Sequence, residues 1–126
     1  VSDGRKGFTL VEVAIALVLL AIVTMGLMSQ SARMVRGVTD DRARTTAAAA
    51  ADARIALVRQ WPTYASLDSA YAGAEANTPR AGWTRTTQIT RIGGLGQPND
   101  FKRVTVTVTG PGLPAPVART ITVAAP

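Results

Sequence analysis

Phe8 to Met28 reads FTLVEVAIALVLLAIVTMGLM, and this run decides the architecture. Of its 21 residues only Thr9, Glu12, Thr24 and Gly26 are not plainly apolar, and Glu12 alone carries charge. At about 1.5 Å per residue a helix of this length spans roughly 31 Å, close to the ~30 Å hydrocarbon core of a bilayer. The helix is apolar on every face for about six turns, so no single stripe faces a protein core and the rest solvent. The run is expected to lie in a membrane.

Working outward, the segment Val1–Gly7 is short and basic, with Arg5 and Lys6 immediately before Gly7. Thr9 and Glu12 have the Thr-x-x-Glu spacing of a capping box, in which each side chain satisfies an orphan amide at a helix start. Glu12 also sits in the first turn, where the helix dipole favours a negative charge. An acid inside a membrane span costs on the order of 3 kcal/mol, so it calls for a partner or a role.

Gly7-Phe8-Thr9-Leu10-Val11-Glu12 resembles the processing signature of type IV pilins and type II secretion pseudopilins. The likeness joins a basic leader ending in Gly, an aromatic, a lone acid four residues later and a spanning apolar run in fixed order. It is strong over about the first 35 residues. The resemblance implies that a prepilin peptidase cuts between Gly7 and Phe8, that the new Phe8 amine is N-methylated, and that Glu12 pairs with the Phe8 amine of an adjacent subunit to set its register. It implies as partners other pilins or pseudopilins of a filament tip or shaft, an inner-membrane assembly platform and membrane lipid. It also implies a single-pass protein of the bacterial inner membrane, with a cytoplasmic N-terminus and a periplasmic or extracytoplasmic head. Charge alone does not give that orientation: Arg5 and Lys6 suit a cytoplasmic flank, but Arg33, Arg36, Arg42 and Arg44 follow the span closely.

A conventional secretory signal peptide competes for the same stretch, with Ser29-Gln30-Ser31 as its small-residue cleavage site. Against it, the apolar run exceeds the usual 7–15 residue signal core, and a carboxylate has no purpose in a segment to be discarded.

Beyond Met28 the helix need not stop. Ser29 to Gln60 contains no Pro and is rich in good helix formers. Met34, Val38, Ala48, Ala51, Ile55 and Val58 recur at spacings of three and four and predict the buried stripe. Arg36–Asp40 and Asp40–Arg44 are i,i+4 pairs on the solvated side. Pro62 disfavours helical geometry at Trp61, so the helix is expected to end there, with Gly26 and Gly37 as possible points of interruption. The chain is thus read as a leader (1–7), a membrane and assembly helix (8–28), its amphipathic continuation (29–61) and a small β-rich head (62–126).

In the head, residues 63–82 connect, with a short helical turn around 67–74. Trp83 to Ile92, the alternating run Val104–Thr109, and Val117 to Val123 read as strands, separated by a Gly-rich loop and a Pro-rich turn. Three such strands make an antiparallel meander whose apolar face needs a cover, and the second half of the long helix is the candidate of the right size. The fold class is α+β: a long N-terminal transmembrane and amphipathic helix packed on a small antiparallel sheet of about three strands. This matches the pilin shape. The Gly82-Trp83 opening of the first strand and the strand at Arg103 resemble the I-type minor pseudopilin and related minor pilins.

Composition excludes several functions. With no Cys and no His, the chain lacks thiolate metal sites and the commonest general base near neutral pH. Asp68, Glu75 and Asp100 are scattered, with no paired carboxylates, no calcium-loop spacing and no Gly-rich loop between strand and helix. Neither catalysis nor a metal nor a cofactor is expected. The net charge of +6 is read as a basic surface. A filament-displayed head binding DNA or another ligand is the alternative, with Arg85, Arg91 and Arg103 as a basic strip on the sheet; nucleic acid is otherwise not expected. Trp61 and Trp83 are read as core anchors where helix meets sheet.

Overall fold

The computed structural model describes residues 7–126. Its elements are α1 (Leu10–Gln60), α2 (Leu67–Tyr71), β1 (Gly73–Ala76), β2 (Thr84–Ile92), β3 (Phe101–Thr109) and β4 (Val117–Ala124). Two compact units divide the chain between Val38 and Thr39, within α1.

In the first unit α1 begins two residues later than the apolar run, at Leu10. Its Leu, Val and Ile side chains are exposed in every direction, Val11, Val18, Leu19 and Ile22 among them. The helix is long and apolar enough to cross a membrane, and no part of its apolar window is buried within the protein. The hydroxyls of Thr24 and Ser29 are satisfied internally: Thr24 donates to the Leu20 and Ala21 carbonyls at 3.0 and 2.9 Å, and Ser29 donates to Gly26 at 2.8 Å. In hydrocarbon that satisfaction is a requirement, since no water is present to replace it. Gly26 and Gly37 do not interrupt the helix. Among the described residues, the expected Arg36–Asp40 and Asp40–Arg44 pairs do not close into ion pairs.

In the second unit α1 buries Ala43, Ala47, Ala50, Ala51, Arg54, Ile55 and Val58. These positions follow the i, i+4, i+7, i+8 pattern of one helical face. The expected stripe is corrected in its first half: Met34 and Val38 are exposed and Ala48 is only half-buried. Alanines took the place because a helix laid on a sheet must approach closely, and they fill little space. The helix ends at Gln60, ahead of Pro62, as the geometry before a proline requires.

The sheet is a meander of four antiparallel strands in the order β1-β2-β3-β4. The expected count of three missed β1, whose sequence Gly-Ala-Glu-Ala has little strand propensity. Alternation along β3 holds. Lys102, Val104, Val106 and Val108 face the helix and are buried, while Thr105 and Thr107 face away. Register puts Val104 between Ile89 and Ile121, and Val106 between Thr87 and Arg119. Trp83 is 1 % exposed and its Nε1 donates to the Pro111 carbonyl at 3.1 Å. Gly110 lies against that indole so closely that a Cβ there would stand 2.3 Å from it. Trp61 is corrected: it is 40 % exposed, edge-on to Tyr71, with its Nε1 donating to Ser66.

Candidate functional site

The chemistry expected at Gly7–Glu12 sits on a helix start. Gly7 and Phe8 precede α1 in non-helical backbone and are exposed, Phe8 at 83 %. Thr9 is the N-cap: its carbonyl accepts from the Val13 amide at 3.1 Å. The Glu12 amide donates to Thr9 Oγ1 at 3.3 Å and the Thr9 amide donates to Glu12 Oε2 at 3.4 Å, which is the reciprocal capping box. Phe8 and Val13 line one groove with Glu12, Ala16, Leu17 and Leu20, the positions of a hydrophobic staple, which sequence reading had not singled out. Cap and staple fix where the helix starts, and so keep the Gly7–Phe8 bond outside it, in exposed non-helical backbone. The Glu12 carboxylate is exposed, and its one cap contact is long, which leaves acceptor capacity for an outside donor. Arg5 and Lys6 lie outside the described residues.

In the head, every acidic side chain is engaged by a cation. Glu75 bridges two: Arg85 Nε donates to its Oε2 at 2.8 Å, and Arg54 pairs with its Oε1. Hydrogen bonding from Arg54, then from Arg85, holds the Glu75 carboxyl down at about 2. Arg85 also donates to the Ala50 carbonyl at 3.2 Å, tying β2 to α1. Asp100 takes two bonds from Arg91 and one from the Tyr64 hydroxyl at 3.0 Å. Arg91 holds the Asp100 carboxyl below its usual range, while desolvation and the bond to Asp100 raise the Tyr64 hydroxyl. Lys102, 3 % exposed, pairs with Asp68 and donates to the Tyr64 carbonyl at 2.8 Å, which clamps the α1–α2 connection onto β3.

These pairings dissolve the expected basic strip. Arg85 and Arg91 face the helix side and are engaged by Glu75 and Asp100, whereas Arg103 pairs in register with Thr90 on the opposite face. A cleft of about 760 Å³ lies beside Tyr64, Arg91, Leu95, Asp100 and Pro126, but its three titratable side chains, Tyr64, Arg91 and Asp100, are joined by hydrogen bonds to one another. Among the described residues no cluster of three potential metal ligands occurs.

A family model described as the prokaryotic N-terminal methylation motif matches residues 3–28. The chain carries the pilin and pseudopilin N-terminal signature. No curated protein and no solved structure gave a match. The methylation motif covers the Gly7–Phe8 junction, the Thr9/Glu12 box and the whole apolar run. Together with the exposed apolar helix it supports a processed, membrane-anchored, single-pass subunit of the pilin or pseudopilin kind, structural in role. The α+β arrangement of α1 on an antiparallel sheet fits the same kind.

Proposed function

We propose that this protein is a minor subunit of a type II secretion or type IV pilus filament, most like the I-type minor pseudopilin. In this reading prepilin peptidase cuts between Gly7 and Phe8, the Phe8 amine is methylated, and the subunit waits in the bacterial inner membrane with its head outside the cytoplasm. It then enters the filament beside other pilins or pseudopilins through the apolar half of α1. Glu12 guides that entry. Cleavage creates an ammonium at Phe8, with an unperturbed pKa near 8, in the same apolar layer as the Glu12 carboxylate of a neighbouring subunit.

The observation that carries the reading is the methylation-motif match over residues 3–28, which includes a Gly7–Phe8 bond that lies outside the helix, ahead of the Thr9/Glu12 cap. Mass spectrometry of the protein from its native membrane tests it. The expected chain starts at N-methylated Phe8. A chain starting near Ala32 would mean cleavage as a conventional signal peptide and would overturn the filament reading. The structure offers the competing cut no loop, since Ser29 to Ala32 are continuous α1.

A further inference from the structure

We propose that the free edge of β4 takes up an extended, acid-bearing strand of a different protein chain as a fifth strand of the sheet. β4 ends the strand order, so one of its sides pairs with β3 and the other, among the described residues, is open. The Ala125 amide donates to the Asp100 carbonyl at 3.1 Å, which fixes the phase of the ladder. Bonded pairs alternate along an antiparallel ladder. Arg119, Ile121 and Val123 therefore bond to β3, while Ala118, Thr120 and Thr122 aim their amides and carbonyls outward. Arg119 Nη1 reaches the Ala118 carbonyl at 3.4 Å, as a carbonyl on the open side permits.

The inward side chains of this edge are also incompletely covered. Ile121 and Val123 are half-buried, whereas Val104, Val106 and Val108 on β3 are fully buried. Between α1 and β4 runs a groove of about 310 Å³, lined by Asp52, Ile55, Ala56, Arg59, Arg119 and Ile121. An added strand would satisfy the outward backbone groups and drop alternate side chains into this groove.

Charge selects the occupant. The groove holds two arginines and one acid, and Asp52 is already engaged by Arg119 at 3.2 Å. A second copy of the chain, paired antiparallel through the same edge about Ala118, Arg119 or Thr120, would bring two Arg119 side chains opposite or diagonal to one another, which is unfavourable. A foreign strand with Asp or Glu facing Arg59 and Arg119 has no such cost. The proposal is independent of the filament reading.

The test uses the full chain in its native cells, with a benzophenone side chain placed at Thr120 or, as control, at Gln88, which is exposed on β2 away from the β4 edge. Light should join Thr120, and not Gln88, to one different chain, and peptide mapping should place the adduct beside an Asp or Glu. Thr122→Pro removes an outward amide while leaving the bonds to β3, as edge prolines do. It should cut the adduct about ten-fold, the worth of roughly one backbone hydrogen bond. Arg119→Glu should cut it similarly, and decides the matter if the proline variant does not accumulate. An adduct to a second copy, equal yields at Thr120 and Gln88, yields unchanged in both variants, or no adduct at all would each overturn the proposal.

Discussion

Glu75→Gln should remove part of the acid sensitivity of the head. The folded carboxyl titrates at about 2 instead of its ordinary 4.5, because Arg54 and Arg85 both bond the charged form. Taken at face value such a difference is worth about 3 kcal/mol. The side chain is 41 % exposed, so solvent screens the pair and about 1–2 kcal/mol is the realistic figure. The sign follows from a depressed pKa. The contribution is complete above pH 4.5 and is lost as pH falls from there toward about 2. Asp100 is depressed as well, by Arg91, and weakens the head in the same direction, so the informative quantity is the difference between wild type and variant. The assay is urea unfolding of the full chain in detergent, followed through the buried Trp83, at steps between pH 7 and pH 2. The variant should be less stable at pH 7, and the two midpoints should converge at acid pH. Equal midpoints at pH 7, or a gap that persists at pH 2, would refute the Arg54–Glu75–Arg85 bridge as a source of stability.

Val106→Asp places an unpaired charge where the native side chain is fully buried and should unfold the head. Thr107→Asp, one residue on and facing away, should shift the urea midpoint little. Gly110→Ala should destabilise the head by about 1–3 kcal/mol, because the added methyl overlaps the Trp83 ring, and a blunted Trp83 emission change would report it. Glu12→Gln keeps the capping geometry and removes the charge. The variant should be cleaved and stay in the membrane, yet fail to co-assemble with partner pilins in crosslinking; normal co-assembly would leave Glu12 a helix cap only.

What sequence could and could not disclose follows the range of the interaction concerned. The span, the Thr9/Glu12 box, the helix end before Pro62 and the β3 alternation are local, since each depends on neighbours within a few residues. β1 is not legible, because Gly-Ala-Glu-Ala becomes a strand only by pairing with residues 84–87. The arginine strip failed on register. Thr90, not Arg91, stands opposite Arg103, so the arginines at odd positions of β2 and the one on β3 fall on opposite faces. That parity is set by the loop between the strands, and a one-residue slip reverses it. The inward Lys102 was missed because its strand was started at Val104; extending it by one alternation places a cation on the buried face. The acids looked scattered because their partners are distant in the chain: Asp68 lies 34 residues from Lys102, and Glu75 lies 10 from Arg85.

The two units set opposite demands on α1, and side-chain size answers them. Up to Met28 its partners are expected to be lipid tails and other apolar helices, so bulky residues on every side are an asset and their order matters little. From Ala43 onward its partner is a pleated sheet with β-branched residues standing on it. There a broad side chain would hold the helix off, and the Ala43, Ala47, Ala50 and Ala51 positions keep it close enough for Arg85 to donate to a helix carbonyl. The same closeness explains where the basic residues went. Arg54, Arg85, Arg91 and Lys102 each close onto a carboxylate around the helix–sheet contact, so much of the head's positive charge is internally compensated. The pI of about 11.1 thus counts cations that the fold pairs with carboxylates together with arginines scattered along α1.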